Sequence, residues 1–298
     1  MSLTVVGSIA LDTVETPWGR NEEGLGGAAT YCSLAAANYA QVHLVGVVGE
    51  DFPPEHVELL KAKHIDLEGL ERATGKTFRW TGRYHQNVNK RDTLDTQLNV
   101  FEDFHPKLPA TARQAKYLFL GNIHPSLQLE VLDQSAARFV ALDTMNLWIH
   151  TTADQLKQVL RRVDAVVIND SEVQDLTGEM NVIRGADAVR DLGPRIVVVK
   201  KGEHGCLLFE GDNIFAVPAF PLRHVIDPTG AGDTFAGGFM GYIAGQDDAG
   251  SATLRQAIVH GTIVASFACE AFGPNRLGGI TLADIDDRYR AFQRVLAF

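Results

Sequence analysis

Short apolar segments alternate with amphipathic segments between residues 115 and 220. The apolar segments are rich in Val, Ile, Leu and Phe, which is typical of strands that are buried on both faces. The segments between them, such as 152–163 and 182–192, have helical periodicity. This alternation predicts an α/β fold, a three-layer α/β/α sandwich in which helices cover both faces of a mostly parallel sheet. The predicted strands lie within residues 115–124, 138–146, 164–172, 195–205 and 213–220.

The amino-terminal part of the chain continues this pattern with one interruption. Residues 3–12 predict a strand that ends at Asp12, and residues 42–52 predict a second buried strand. Residues 13–27 between them are polar and rich in turn residues, which indicates an excursion from the sheet. Residues 76–101 alternate bulky and polar side chains, so we expect an antiparallel hairpin or a small sheet there. Polar and glycine residues follow several predicted strands, and ligands of open α/β sheets bind at that edge.

The composition predicts a cytoplasmic protein with no nucleic-acid or membrane partner. The chain has 298 residues and a formal net charge of -10, whereas a nucleic-acid surface needs clustered Lys and Arg. The longest apolar run, residues 257–272, is interrupted by His260 and Glu270 and is too short to span a bilayer. The chain starts without a basic segment ahead of its apolar run, and three widely spaced cysteines predict free thiols.

The segment IDPTGAGDTFAGGF, residues 226–239, contains four glycines and leads into an apolar helical pattern. Pro228 ends the preceding extended segment, and Gly230 and Gly232 permit backbone conformations that other residues avoid. We expect the N–H groups of residues 230–233 to point out of the helix amino terminus and to form an anion hole. Gly237 and Gly238 lie inside the predicted helix and weaken it, so another backbone is expected to pack closely there.

Asp233 lies in the first turn of this helix, and two interpretations of it remain open. A first-turn carboxylate can simply stabilise its helix through the helix dipole. Alternatively, a carboxylate beside an anion hole can accept the proton of a hydroxyl that attacks a phosphoryl group. In either case we expect the dipole to keep Asp233 ionised at neutral pH.

Two other glycine-rich segments match nucleotide-binding motifs less well. Residues 69–77, GLERATGKT, end like a P-loop, but five residues separate the glycines instead of four and no helix follows. Residues 24–29, GLGGAA, fit the dinucleotide pattern, although a long polar segment separates them from the preceding strand. The second match leaves open either a dinucleotide-binding turn or a glycine turn that enters a tightly packed helix.

The segment DPTGAGDTFAGGF resembles the carboxyl-terminal signature of the ribokinase-like (PfkB) carbohydrate and nucleoside kinases. Further segments resemble the same family along most of the chain, namely GSIALD, the region from LGGAATYCSL to VVGEDF, NDSE, KKGEHGC and AFGPNRLGG. The resemblance implies one ribokinase-like domain over residues 1–298 that transfers the γ-phosphoryl group of Mg·ATP to a hydroxyl of a sugar or nucleoside. It also implies a β-sheet lid formed by roughly residues 12–24 and 76–101, which often serves relatives as a homodimer surface.

The resemblance also implies roles for individual residues. It makes Asp233 the catalytic base, with Gly230, Ala231 and Gly232 in the anion hole. It places Asp12, Gly26 and Gly27 at the substrate. Asn169, Lys201, Gly202, Gly205 and Asn275 are placed near the nucleotide, and Glu172 near Mg²⁺, which it binds through water. Asp227 and Thr229 occupy the position where many relatives bind a monovalent cation such as K⁺, and the sequence leaves open whether that ion is needed.

Tyr31 departs from the pattern of the family's sugar kinases. Many of these relatives have a sugar-binding asparagine four places after the second glycine of the GG pair, where this chain has Tyr31. A tyrosine offers one hydroxyl instead of an amide, so the usual sugar contacts are in doubt. Asn122 and Asn146, at the ends of two predicted strands, are candidates to replace the lost contact, although either can equally form a turn. The substrate is therefore predicted only as a sugar or a nucleoside.

The lid segments contain the cations Arg79, Arg83, Lys90 and Arg91 and the aromatic residues Trp80 and Tyr84. The cations are candidates to bind phosphate, or they are solvated side chains of an edge strand. The aromatic rings are candidates to cover a ring-shaped ligand, or they pack within the lid.

Three functions are compatible with these features. The leading hypothesis is an ATP-dependent small-molecule kinase with Asp233 as its base. A catalytically silent nucleotide or metabolite sensor would keep the pocket but would not need Asp233 or the N-x-x-E motif of Asn169 and Glu172. A dinucleotide-dependent oxidoreductase would use the glycines at 24–27, but it requires the first strand to run directly into that turn.

Overall fold

The computed structural model describes residues 1–297 and contains a nine-stranded sheet and a separate four-stranded sheet. The nine strands follow the order β13-β12-β11-β10-β9-β8-β1-β4-β5. The seven strands from β11 to β5 are parallel, whereas β12 and β13 are antiparallel. The bounds are β1 Ser2–Val6, β4 Gln41–Val48, β5 Asp66–Arg72, β8 Tyr117–Leu120, β9 Phe139–Asp143, β10 Ala165–Asn169, β11 Ile196–Lys200, β12 Cys206–Glu210 and β13 Asn213–Val217.

Helices cover both faces of this sheet, because successive strand residues enter two different apolar clusters. In β11, Val198 joins one cluster with residues of α1, α9, α10 and α12. Its neighbours Val197 and Val199 join the other cluster, with residues of α4, α6, α7 and α8. The predicted three-layer α/β/α sandwich is thus confirmed. The helices are α1 Ala28–Ala36, α2 Pro54–Ala62, α3 Ala110–Arg113, α4 Pro125–Gln134, α5 Asn146–Thr151, α6 Ala153–Leu160, α7 Asp170–Thr177, α8 Val182–Arg190, α9 Ala231–Gln246, α10 Ser251–Ala268, α11 Asn275–Gly278 and α12 Leu282–Leu296.

The four-stranded sheet has the order β3-β2-β6-β7 and comes from the two segments that were predicted to form the lid. Its strands are β2 Ala10–Thr16, β3 Gly19–Gly26, β6 Phe78–Tyr84 and β7 Arg91–Gln97. Residues 13–27 form most of a hairpin outside the central sheet, so the predicted excursion from that sheet is confirmed. The hairpin joins residues 78–97 through a parallel pairing of β2 with β6. Most of β3 is solvent-exposed, so its sequence lacks the apolar alternation that would have predicted a strand.

The register of the central sheet brings distant polar residues to one edge. β10 pairs in parallel with β11, so that Asn169 lies opposite Lys200, and with β9, so that Val167 lies opposite Asp143. The carboxyl ends of β9, β10 and β11 therefore place Asp143, Asn169 and Lys200 side by side. This is the edge where ligands bind in open α/β sheets.

Glycines in α9 allow three helix backbones to approach closely. A Cβ on Gly237 would lie 2.3 Å from the carbonyl oxygen of Cys32 in α1. A Cβ on Gly238 would lie 2.9 Å from Cα of Gly261 in α10. The predicted close packing at these two glycines is confirmed, and it fixes α9 between α1 and α10.

Across residues 1–297, the helices lack the combination of length and apolar character that crossing a membrane requires.

Candidate active site

The amino terminus of α9 presents unpaired backbone donors at the edge of the central sheet. Gly230 caps the helix in the left-handed conformation, with φ of 72°, and its carbonyl accepts the N–H of Thr234. The N–H of Ala231 donates to the carbonyl of Pro228 at 3.2 Å, so the expectation that this amide is free was wrong in this structure. Within residues 1–297, the N–H groups of Gly230 and Gly232 have no backbone acceptor. The N–H of Asp233 faces its own carboxyl, so two of the four predicted amides, those of Gly230 and Gly232, are free to bind an anion.

Asp233 follows directly and lines a cleft beside this helix end. The pKa of its carboxyl is raised from 3.8 to about 7, chiefly by burial and also by the nearby charge of Asp143, while the charge of Lys200 opposes the rise. The expectation that the helix dipole keeps Asp233 ionised was therefore wrong, because desolvation outweighs the dipole. A carboxylate that titrates near neutral pH is well suited to accept a proton from a hydroxyl.

Asp12 lies on β2, across the cleft entrance from α1, and is nearly inaccessible to solvent. Its Oδ1 has no hydrogen-bond partner within residues 1–297, and burial raises the pKa of the carboxyl to about 7. A Cβ on Gly26 would lie 2.0 Å from Oδ2, so any side chain at residue 26 would displace the carboxylate. Gly27 has a φ of 93° and leads the chain into α1. The N–H of Gly27 bonds to this carboxylate, and its unpartnered Oδ1 fits a ligand that brings hydroxyl donors.

Tyr31 of α1 lies directly beneath the loop that precedes α9. Its ring carbons would be 2.4 Å from a Cβ on Gly230, so any side chain at residue 230 would clash with this ring. The ring is almost fully buried, and it also forms part of the cleft wall. Tyr31, the residue that departs from the sugar-kinase pattern, is therefore part of the cleft floor.

The cleft has a volume of ≈ 720 Å³ and runs between the edge of the central sheet and the four-stranded sheet. Asn122 holds one wall in place, since its Oδ1 accepts the indole N–H of Trp148 at 2.8 Å and its Nδ2 contacts Sδ of Met145. Asn146 is exposed outside the cleft and donates to Asp175, so the structure does not bring it together with the other predicted residues. The aromatic rings on the cleft walls belong to Phe78, Trp80, Phe101, Phe104, His124 and Trp148.

Asn169 and Glu172 form a capping box at the start of α7. Oδ1 of Asn169 accepts the N–H of Glu172 at 2.8 Å, and Oε2 of Glu172 accepts the N–H of Asn169 at 2.9 Å. The capping box by itself accounts for the three-residue spacing between Asn169 and Glu172 in the N-x-x-E motif. Oε1 of Glu172 makes no hydrogen bond within residues 1–297, and burial raises the pKa of this carboxyl to about 7. One carboxylate oxygen thus stays available at the sheet edge, next to Lys200.

The remaining predicted nucleotide and cation residues lie in two loops. Lys201 begins a tight turn in which its N–H donates to the carbonyl of Gly205, with positive φ at Gly202 and Gly205. Asn275 is exposed at the start of α11 and donates to the carbonyl of Phe272.

Asp227 links the loop before α9 to the loop at residues 270–275. Its Oδ1 accepts the N–H of Thr229 and its Oδ2 accepts the N–H of Gly273. The hydroxyl of Thr229 contacts Tyr84 of the four-stranded sheet. These bonds give Asp227 a structural role in holding α9 next to the adjoining loops.

Asp143 and Lys200 belong to the site and were missed from the sequence. Nζ of Lys200 lies 3.2 Å from Oδ2 of Asp143, although 57 residues separate them along the chain. The signal that could have found them is the position of each at the carboxyl end of an apolar strand.

Some arginines of the four-stranded sheet form salt bridges with carboxylates, and another lines the cleft. Arg79 pairs with Glu23 and Asp51, and Arg83 pairs with Glu15. Arg91 instead lies over the ring of Trp80, at 5.2 Å from its centroid, and lines the cleft.

Comparison with known proteins agrees with this geometry. The family described as pfkB family carbohydrate kinase matches residues 2–277. The chain is 31% identical to the cytidine kinase of Thermococcus kodakarensis over 253 residues, which cover 83% of this chain and 90% of that protein. It is 28% identical to the nucleoside kinase of Methanothermobacter thermautotrophicus over 283 residues, 91% of this chain and 84% of that protein.

A solved structure shares the fold at low sequence identity. The nucleoside kinase of Burkholderia thailandensis, determined in complex with inosine, superposes with a TM-score of 0.79 at 19% identity and covers 97% of this chain and 98% of its own. The match of the family to nearly the whole chain identifies the protein as a small-molecule kinase that belongs to the ribokinase-like PfkB family.

Proposed function

We propose that this kinase transfers the γ-phosphoryl group of ATP to a ribose hydroxyl of a nucleoside, with Asp233 as the general base. The observation that carries the proposal is the floor of the cleft. There the carboxylate of Asp233, with a pKa of about 7, lies next to the unpaired amides of Gly230 and Gly232. Transfer of a charged phosphoryl group to a hydroxyl needs both an anion hole and an adjacent proton acceptor, and this floor supplies both.

The proposal assigns one task to each residue of the floor. Asp233 accepts the proton of the attacking hydroxyl at its carboxylate. The N–H groups of Gly230 and Gly232 donate to the oxygens of the phosphoryl group, and the N–H of Ala231 can join them once its bond to Pro228 opens. Little proton transfer is needed before phosphoryl transfer, because the transition state is loose. Catalysis therefore depends on positioning and on stabilisation of charge.

Asp12 is proposed to bind the ribose. Its unpartnered Oδ1 and raised pKa make ionisation costly until a ligand supplies hydrogen bonds. Two neighbouring hydroxyls of a ribose would satisfy this carboxylate and would orient the third hydroxyl toward Asp233. Gly26 and Gly27 leave the space for that contact, and Tyr31 supports the floor beneath it.

A nucleoside fits the cleft better than a free sugar does. Eight aromatic or imidazole rings, those of the walls together with Tyr31 and His105, line a volume of ≈ 720 Å³, and flat apolar walls favour a planar base. The relatives named cytidine kinase and nucleoside kinase support the same substrate class. Asn122 contributes indirectly, because it orients Trp148 in the wall.

The nucleotide is assigned to the neighbouring part of the sheet edge, beside Asn169, the turn from Lys201 to Gly205, and Asn275. Mg²⁺ supplies charge neutralisation on the phosphates when it is bound. The free Oε1 of Glu172 would hold it through water. Within residues 1–297 no three His, Cys, Asp or Glu side chains converge as a metal site. This suits Mg²⁺, which commonly binds through one or two carboxylates, water and phosphate oxygens.

A screen of nucleosides and free sugars for ATP-dependent phosphorylation, with the product detected directly, tests this function. We expect turnover with at least one nucleoside and a much higher KM for free ribose, which cannot contact the aromatic walls. Preference for free sugars would contradict the nucleoside assignment. Binding of ATP and nucleoside without any phosphoryl transfer would instead support a silent sensor.

Two further properties are proposed for the same chain. A monovalent cation such as K⁺ is assigned to the loop of Asp227 and Thr229, and turnover in potassium chloride compared with tetramethylammonium chloride tests this assignment.

A homodimer through the four-stranded sheet is supported by β7, an edge strand whose seven residues are all exposed. Sedimentation of the chain over a range of concentrations tests the dimer.

A further inference from the structure

Lys200 and Asp143 form the most deeply buried ion pair within residues 1–297. Their side chains are 18% and 6% exposed, and Nζ lies 3.2 and 3.5 Å from the two carboxylate oxygens. Removing two charges from water is costly, and an apolar pair of similar volume often stabilises a fold equally well. The proposed function so far uses neither residue, although both lie at the edge of the sheet where it places the reaction.

The ammonium group of Lys200 lies against the anion hole. A Cβ built on Gly232 would be 3.2 Å from Nζ, which puts the ammonium beside one of the two unpaired amides. The charge of Lys200 also lowers the pKa of both Asp233 and Glu172. The ammonium therefore lies beside one of the phosphoryl-binding amides, and its charge acts on both the proposed base and the proposed metal-side carboxylate.

Donor capacity and local charge both favour an anionic ligand at this point. A lysine ammonium has three N–H donors, and within residues 1–297 only the carboxylate of Asp143 accepts from this one. Three carboxylates, those of Asp143, Glu172 and Asp233, act on this one cation. A phosphoryl group that approached the same point without Lys200 would meet uncompensated negative charge.

We propose that Lys200 is a catalytic residue whose ammonium donates to a nonbridging oxygen of the migrating phosphoryl group, and that Asp143 is the positioning residue that holds it there. The proposal rests on the proposed function. In the transfer, the acceptor oxygen bonds to phosphorus while the bond from phosphorus to the ADP oxygen breaks, and the acceptor proton moves to Asp233. Lys200 keeps all its protons and contributes only charge and hydrogen bonds.

The test compares Lys200→Met with the double variant Asp143→Asn/Lys200→Met, which leaves no unpaired buried carboxylate at residue 143. Exposed Lys107, changed to Met, is the matched control. We expect kcat to fall by about 10² or more in both Lys200 variants, by analogy with the removal of one oxyanion donor. The Kd of the nucleoside should stay unchanged, and the control should keep the original kcat.

A second readout separates a contact with phosphate from a structural role. Sulfur in ATPγS accepts hydrogen bonds more weakly than oxygen, so the ratio of kcat with ATP to kcat with ATPγS includes the contact to Lys200. We expect this ratio to fall by about tenfold in both Lys200 variants, because the contact that distinguishes the two donors is gone. An unchanged ratio would overturn the proposal.

A pH series excludes an indirect effect through the base. Without Lys200 the pKa of Asp233 should rise, since the charged groups that act on it would then be the carboxylates of Asp143 and Asp12 and the cation of Arg91. If kcat of Lys200→Met recovers fully at high pH, Lys200 acts only through Asp233 and the proposal is overturned. A deficit that persists on the high-pH plateau supports it. Absence of transfer by the unmodified chain would overturn the proposed function together with this inference, whereas normal transfer by Lys200→Met would overturn this inference alone.

Discussion

Replacing Asp233 with Asn should stabilise the free protein at neutral and alkaline pH while it abolishes activity. Burial raises the pKa of this carboxyl from 3.8 to about 7. A group with a folded-state pKa above its unfolded value favours folding most when it is protonated. Its contribution is therefore fully present below about pH 4 and is lost as the pH rises through about 7. The neutral amide of asparagine carries no such cost.

The expected size follows from the shift of about three pKa units. At 1.36 kcal/mol per unit, full ionisation in the folded state costs up to about 4 kcal/mol. Water in the cleft reaches part of the side chain and reduces this cost, so a gain of roughly 2–4 kcal/mol for Asp233→Asn is expected at pH 8. Asp12 and Glu172 titrate in the same range, but they remain in both proteins and largely cancel in the difference.

Urea denaturation of both proteins, without ligands and in steps from pH 4 to pH 8, measures the difference in unfolding free energy. We expect the curves to converge near pH 4 and to separate progressively above pH 5, with the variant more stable. A variant that is equally stable or less stable at pH 8 would refute the claim that burial raises the pKa of Asp233. The exposed carboxylate Asp154, changed to Asn, is a control that should show no comparable gain.

Three other substitutions probe separate parts of the site and the fold. Asp12→Asn should raise the KM of the nucleoside by roughly 10- to 100-fold with little change in the KM of ATP, since the amide pairs less strongly with ribose hydroxyls. Steady-state kinetics measure both KM values, and equal changes in the two would contradict the assignment of Asp12 to the ribose. Asn122→Ala should raise the nucleoside KM several-fold by freeing the indole of Trp148, which quenching of tryptophan fluorescence by the nucleoside can follow. Gly237→Ala should destabilise the fold by roughly 1–3 kcal/mol through overpacking against Cys32, and an unchanged melting temperature would show that α1 moves aside freely.

Features that depend on residues close together in the chain could be predicted from the sequence. The glycines and Asp233 lie in one helix start, so their spacing predicted free amides next to a carboxyl, although it did not reveal that the N–H of Ala231 bonds to Pro228. The close packing of Gly237 and Gly238 also followed, because glycine inside a helix is costly unless another backbone needs the space. The sandwich followed from strands that are apolar along their whole length.

Features that depend on pairing between distant segments were not predictable in the same way. Lys200 and Asp143 approach each other only because β9 and β11 flank β10, and neither strand's sequence specifies its neighbours. Strand β5, with the sequence DLEGLER, is a polar edge strand that alternation could not reveal. Asn146 was expected in the cleft from its place after a strand, but the start of α5 directs it toward Asp175.

The electrostatic error has a physical reason as well. The position of Asp233 in the first turn of α9 suggested an ionised carboxylate, because only the helix dipole can be inferred from sequence. The opposing effect, desolvation by Tyr31, α1 and the central sheet, requires the packed structure. The same reasoning applies to Asp12 and Glu172, whose pKa values burial also raises to about 7.

Turnover of Asp233→Asn, measured at saturating ATP and nucleoside together with the Kd of each, tests the role of Asp233 most directly. The account predicts a loss in kcat of about 10³ or more, with both dissociation constants close to those of the unmodified chain. It also predicts that kcat of the unmodified chain rises with pH along a limb with an apparent pKa near 7, and that this limb is missing from the residual activity of the variant. A variant that keeps most of its kcat, or the same pH limb, would contradict the assignment of Asp233 as the base.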